Sequence, residues 1–277
     1  MNKAGIFFLF GLLLFVGGCK KVPNDGVPFY LEVDSLSVTI DNPLIQGSSS
    51  SKLTDIWLEA GNTELGAFEC PVRVPILREG NVPLLISPGI KNNGAAGYRK
   101  IYPFLIPDTF TLTAQRGQVY VHHPHFRYKA GTKFHNEDFE GAVNTYTNIT
   151  PETSSVFEGS KSGLLSLSAN DTFKISYLNT AVAIPGGGDV YLEMNYKCDV
   201  PFTMGITANS GSGPQTIDKI TFGAKSFWNK TYIDLSYEVG QTASPTATTY
   251  YQVYFYVAKN PGFATNVYFD NIKLLHY

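Results

Sequence analysis

Four of the five histidines, His122, His123, His125 and His135, fall within 14 positions, with Glu137 and Asp138 close behind. Imidazole and carboxylate are ligands suited to zinc or copper, and on a strand His123 and His125 would share a face, because side chains repeat every second residue. The spacing matches no HExxH or comparable chelating pattern. Pro124 inside the run argues for an irregular linker or a strand edge. A junction between domains, rich in solvated histidine, is the expectation, in preference to a metal centre. Other reactive constellations are missing. The chain carries no G-x-S-x-G nucleophile elbow, no convincing Ser/His/Asp order and no carboxylate pair set for one cleft. The glycine runs Gly186-Gly187-Gly188 and Gly211-Ser212-Gly213 open no helix, which removes a phosphate loop. A non-enzyme is expected.

Cys19 is the residue whose chemistry its neighbours define. Lys3 precedes a nearly unbroken apolar stretch from Ile6 to Val16, closed by Gly17, Gly18 and Cys19. A basic start, an apolar run of roughly ten residues and small residues at its end make a cleavable signal peptide, too short to span a bilayer core of about 30 Å. The ending Val16-Gly17-Gly18-Cys19 resembles the bacterial lipobox, with valine where leucine is commoner. That resemblance implies diacylation of Cys19 and removal of residues 1–18. Lipid chains contribute about 0.8 kcal/mol per buried methylene, so several of them hold a protein firmly on a membrane. Lys20 follows the cysteine. By resemblance to Gram-negative lipoproteins, the lack of aspartate there implies the outer membrane, in either leaflet. Residues 19–26 read as a lipidated tether, polar and broken by Pro23 and Gly26. The remaining cysteines, Cys70 and Cys198, are expected to be small buried hydrophobes; an interdomain disulfide is the alternative in an oxidising envelope.

The rest of the composition sets the fold class. Of 277 residues, 21 are Lys or Arg and 23 Asp or Glu, a net charge of -2 with no basic run; nucleic acid and polybasic lipid contacts have no support. With 17 Tyr, 19 Phe, 26 Gly and 16 Pro, short strands and turns are favoured over helices. Alternation over Phe29–Asp41, then DIWLE, LGAFE and the runs 72–77 and 82–87, separated by turns at Gly61-Asn62 and Arg78-Glu79-Gly80-Asn81, predicts a small antiparallel sandwich over 27–115. The stretch DIWLEAGNTELGAFECPVRVPILREGNVPLLISPGIKNNG resembles the PEGA-type and related immunoglobulin-like domains of bacterial envelope proteins. The matching positions are Gly61, Leu65, Gly66, Pro75, Glu79, Gly80, Pro88, Gly89 and Ile90. They are turn and core positions, so the resemblance implies fold and location and carries no site.

Residues 116–277 give a second outline: a strand opening at Phe139-Glu140, GSKSGLLSL over 159–167, further strands over 189–197, 202–208, 226–239 and 250–257, and a closing VYFDNIKLL over 267–275. It resembles the jelly roll of carbohydrate-binding modules and related galactose-binding-like domains, through the opening Phe-Glu, the early Ser-Gly, a Trp in a strand and the terminal Phe-Asp-Asn-Ile. Many such jelly rolls hold a structural calcium where first and last strands meet, which implies Glu140 and Asp270 as ligands of a Ca2+ clamp; no other cofactor is called for. The resemblance also implies a glycan as partner, with Trp228, Tyr232 and Tyr250 as candidate stacking residues, each of which would serve equally as core packing. The expectation is an all-β chain of two antiparallel β-sandwiches in tandem, immunoglobulin-like then jelly roll, lipid-anchored and non-catalytic. It binds either a glycan or another envelope protein docked on a sheet edge.

Overall fold

The computed structural model describes residues 26–211 and 213–277. The expected signal peptide, Cys19 and nearly all of the expected tether lie outside these residues. Among the described residues the chain is built of strands, with two short α-helices, Pro43–Gln46 and Ser236–Thr242. No helix there is long and apolar enough to cross a membrane.

The first unit is a sandwich closed by unusual edges. Strands Asp55–Ala60, Thr63–Glu69, Gly80–Lys91, Arg99–Ile101 and Asp108–Ala114 form one antiparallel sheet. Opposite it, Phe29–Val33 pairs antiparallel with Val72–Ile76 and parallel with Val119–His122. His125–Arg127 runs parallel to Ser37–Thr39. The expected boundary at residue 115 therefore moves: the chain returns at 119–127 to complete the first unit, and the second begins with Lys133–Glu137. The Phe139-Glu140 opening is likewise no strand. Phe139 sits at φ 62, a left-handed conformation incompatible with a ladder, and Lys133–Glu137 supplies the pairing instead.

The second unit stacks two sheets. One has six strands, centred on Thr265–His276 and Val190–Cys198 and flanked by Ser162–Leu167, Thr150–Glu152, Lys225–Asp234 and Lys133–Glu137. The other, here called the platform sheet, runs Phe173–Tyr177, Tyr250–Ala258, Phe202–Asn209, Pro214–Phe222, with Val182–Ala183 added to the second of these. Their facing side chains, among them Leu192, Met194, Phe202, Phe255 and Phe269, make one core.

Val190–Cys198 explains how the units join. Antiparallel strands usually bury one face and wet the other, yet eight of its nine residues are buried. Leu192, Met194 and Tyr196 point into the second core, whereas Tyr191, together with Tyr232 and Leu275, belongs to the core of the first unit. The six-stranded sheet is thus the middle layer, covered on one side by the platform sheet and on the other by the first unit. The seam is aromatic and ionic. Tyr102 packs on Tyr191 and Tyr232 with ring centroids 5.4 and 5.0 Å apart. Glu193, 1% exposed, accepts from the hydroxyls of Tyr102 at 2.6 Å and Tyr128 at 3.1 Å and faces Lys230 at 3.0 Å. Lys273 donates to the Ser48 carbonyl, and burial pushes its ammonium down to about 8, against the pull of Glu193. Lys100 pairs with Asp234 at 2.8 Å. Burial would raise the Asp234 carboxyl, but bonds from Lys100, Ser236 and Tyr191 hold it down at about 2.

Candidate functional site

With one face of the six-stranded sheet on the core and the other against the first unit, the outer face of the platform sheet is the broad face left open. Alternation decides what it shows. Along Tyr250–Ala258, the residues Tyr251, Val253, Phe255 and Val257 enter the core, so Tyr250, Gln252, Tyr254 and Tyr256 point outward. Register places Tyr177 opposite Tyr254, and Thr203, Gly205, Thr207 and Asn209 opposite Tyr256, Tyr254, Gln252 and Tyr250. Five aromatic rings therefore share this face with amides and hydroxyls: Phe173, Tyr177, Tyr250, Tyr254 and Tyr256.

These rings differ in exposure for local reasons. Tyr254 is 3% exposed. It lies across Gly205, where a Cβ would collide with its hydroxyl and with the Ile217 carbonyl, and it reaches past that strand to donate to Asp218 on Pro214–Phe222. Burial and that carboxylate push its phenol well above the usual range. Tyr177 packs on it at 5.9 Å and Phe173 on Tyr256 at 6.4 Å. Tyr250 stands at the end of the strand, 49% exposed. Two hollows meet beside it. One, of about 470 Å3, is lined by Thr207, Asn209, Gly211, Thr248, Tyr250 and Gln252 among others. The other, of about 670 Å3, is lined by His135, Asn144, Tyr146, Asn179, Tyr250 and His276 among others. Volumes of this order suit a small ligand, and scattered amides, hydroxyls and imidazoles beside an apolar ring are the groups that orient a polyhydroxylated one.

His135 and His276 meet here, Nε2 to Nε2 at 3.2 Å with rings nearly parallel. His276 Nδ1 lies 2.9 Å from the Tyr277 carbonyl, to which it donates. Its Nε2 is then left as acceptor and His135 Nε2 as donor. Burial pushes both imidazoles below the ordinary histidine value, helped by Lys133. Neutral rings are the form that hydrogen-bonds hydroxyls in both senses.

The other histidines go elsewhere. His122 bonds Asp108 at 2.7 Å and stacks on Phe110; His123 bonds Asp34 at 2.6 Å; His125 bonds Ser37 at 2.6 Å. His122 and His125 sit on the first unit's edge strands and His123 in the break between them, each with its own partner. Among the described residues no three His, Cys, Asp or Glu side chains converge as a metal site. Glu140 and Asp270 both grip the 157–161 segment. Glu140 accepts from the Ser160 and Lys161 amides, and Asp270 from those of Phe157, Glu158 and Asn271. Burial first, and Glu158 nearby, raise the Asp270 carboxyl to about 6 against these bonds. The two carboxylates clamp one loop through peptide N–H groups.

Of the three candidate stacking residues, Tyr250 alone stands on the open face. Tyr232 is 3% exposed and locked in the seam, its hydroxyl accepting from the Lys52 amide at 2.9 Å, so it cannot stack on a sugar. Trp228 lies on the six-stranded sheet, edge-on to Phe157 and Tyr268. Cys70 and Cys198 are free thiols; burial pushes Cys70 up to about 11 and raises Cys198. Sequence reasoning did not pick out Tyr177 and Tyr256, although the period of 250–257 carried the signal for the second. Nothing in the sequence paired His276 with His135.

No protein-family model matches the sequence, and no curated protein matches it. Among solved structures the chain is similar to a carbohydrate-binding module of the β-sandwich superfamily described as promiscuous in specificity, with 15% identity over 79% of this chain and 83% of that one, TM-score 0.39. It is similar also to the xylan-binding CBM22-1 domain of Paenibacillus barcinonensis Xyn10C, at 11% identity over 51% and 92%, TM-score 0.38. A third is the family 30 module of a Clostridium thermocellum cellulosomal cellulase, at 14% identity over 48% and 87%, TM-score 0.36.

Proposed function

We propose that this chain is a non-catalytic envelope protein, lipid-anchored through Cys19, whose second sandwich holds a neutral oligosaccharide on the outer face of the platform sheet. The observation that carries this reading is the open aromatic face itself. A sheet with no further layer to pack against gains nothing from presenting Phe173 and Tyr250 to solvent with Tyr177 and Tyr256 half-buried beside them, and exposed apolar patches mark binding sites. Between those rings stand Gln252, Thr207 and Asn209, side chains able to donate to and accept from sugar hydroxyls, and Asp218, which accepts. Anchoring rests on the lipobox-like Val16-Gly17-Gly18-Cys19, which would hold both sandwiches at a membrane on a tether of a few residues.

The full chain, solubilised in detergent and applied to an array of neutral and acidic glycans, is expected to retain a small set of neutral oligosaccharides of two or more units. In cell fractionation it is expected to follow the outer membrane, and Cys19→Ser to release it. An empty array alongside a co-purified envelope protein would overturn the glycan reading in favour of docking. A Cys19→Ser chain that stays with the membrane would overturn the anchor.

A further inference from the structure

The seam between the units holds a further hollow, of about 290 Å3, apart from the two beside Tyr250. Lys52, Lys91, Asn93 and Gly94 wall it from the first unit, and Thr231 and Lys225 are among those that wall it from the second. Four lysines line it, Lys52, Lys91, Lys225 and Lys230, and no aspartate or glutamate does. In a chain of net charge -2, with acids slightly outnumbering bases, such segregation around one hollow needs a reason, because like charges brought together oppose folding.

The nearby carboxylates do not cancel that charge. Glu69 pairs with Lys91 at 3.0 Å but is shared with Arg99 at 2.6 Å. Glu193 pairs with Lys230 at 3.0 Å but also faces Lys273. Lys52 and Lys225 have no carboxylate in any ion pair found among the described residues. Lys52 donates to the Asn229 amide oxygen at 2.5 Å, and Lys225 lies over the Phe227 ring. Burial, then Lys225 and Lys91, push the Lys52 ammonium down from its ordinary value.

One buried donor is also idle: Thr231 Oγ, in a residue 2% exposed, has no hydrogen-bond partner. Buried polar atoms are normally satisfied, and an orphan calls for an explanation. Gly94 adds the access: at φ +69 it has no side chain over Thr231, where a Cβ would come 3.2 Å from the hydroxyl oxygen.

We propose that this hollow is a binding site for a compact oxyanion, a sulfate, phosphate or carboxylate group, held by Lys52 and Lys225 with Thr231 as a further donor. Charge-assisted bonds to such oxygens are the strong ones, and the anion would supply the negative charge that the surrounding acids leave short. Because its wall comes from both units, occupancy ties them together. The site uses none of the platform residues, so it stands or falls independently of the glycan reading.

Sodium sulfate, sodium phosphate and sodium glucuronate are titrated into the full chain by calorimetry, ionic strength held constant with sodium chloride, with the thermal midpoint followed in parallel. Saturable binding is expected for at least one of them, competitive between any two that bind. Lys52→Gln and Lys225→Gln are each expected to weaken it about tenfold or more, the loss of one charge-assisted bond. Without anion, Lys52→Gln is expected to melt no lower than wild type, since it removes a charge its neighbours oppose; a merely structural lysine would lower the midpoint. A uronate oligomer tighter than glucuronate would identify the anion as part of a glycan, and equal affinity as a free ion. Sulfate also stabilises proteins generally, by exclusion from their surfaces. A rise in midpoint that does not saturate, and is the same in wild type and both variants, would overturn the proposal, as would no calorimetric binding of any of the three anions.

Discussion

Tyr250→Ala is expected to weaken oligosaccharide binding about 30-fold while leaving the fold intact. A central aromatic anchor is typically worth about 2 kcal/mol or more on truncation, and each 1.4 kcal/mol is tenfold in affinity. Tyr250 fits that role because it stands at the strand end where both hollows meet, half exposed, backed by neither sheet core. The same position makes its removal cheap for stability, within about 0.5 kcal/mol for a surface substitution. Titration calorimetry and a thermal melt on the same sample separate the two effects. Tyr251→Phe is the contrasting control. That side chain faces the core, 1% exposed, and its hydroxyl donates to the Val239 carbonyl at 3.1 Å, so its change is expected to lower stability by about 1 kcal/mol and leave affinity alone. Affinity unchanged in Tyr250→Ala would mean that the ligand, if any, lies elsewhere.

The largest effect on stability is expected at Glu193. Glu193→Ala leaves Lys230 and Lys273 buried without their shared carboxylate and the hydroxyls of Tyr102 and Tyr128 without their acceptor. Removing one partner of a buried ion pair typically costs about 3–5 kcal/mol, most of it the penalty on the charge left behind. Since the acceptor sits on the middle layer and two of its donors, Tyr102 and Tyr128, on the first unit, the loss should open the seam first. Urea denaturation is expected to show the midpoint falling and the single transition of wild type separating into two. A drop of under 1 kcal/mol, with one transition retained, would show that the seam does not depend on this network.

Much of the fold was legible because its strands alternate. The run from Tyr250 to Val257 reads as a strand from its β-branched and aromatic residues alone, and its period already assigned Val253 and Phe255 to one face. Alternation, however, names two faces without saying which one a neighbour covers. Tyr232 and Tyr250 look alike in sequence, and only the first unit lying against the six-stranded sheet buries the former and leaves the latter open. The same limit hid the seam: Val190–Cys198 is nearly apolar on one face and carries Tyr191, Glu193 and Asn195 on the other, a pattern of a half-wet strand until another layer closes over it. The boundary at 115 failed for a different reason. His122-His123-Pro124-His125 carries weak hydrophobic signal, and its segments join the first unit through parallel edge pairing across about 90 residues, a long-range contact that no local pattern encodes. Phe139-Glu140 looked like a strand opening, but Glu137 accepts from the Phe139 amide at 2.7 Å and turns the chain there. The histidine cluster was conspicuous as a count, yet what placed His135 in a hollow was its register beside Leu274, two residues from His276.

The open platform face is the proposed seat of the ligand. Backbone amide shifts of the full chain, recorded while the best-retained array oligosaccharide is titrated in, decide it. Saturable changes are expected, confined to residues 173–183, 203–211, 214–222 and 248–256 and to the hollow around His135 and His276, with the first unit and the seam unmoved. Changes centred on the first unit, or on the seam around Glu193 and Tyr232 with the platform strands silent, would contradict it.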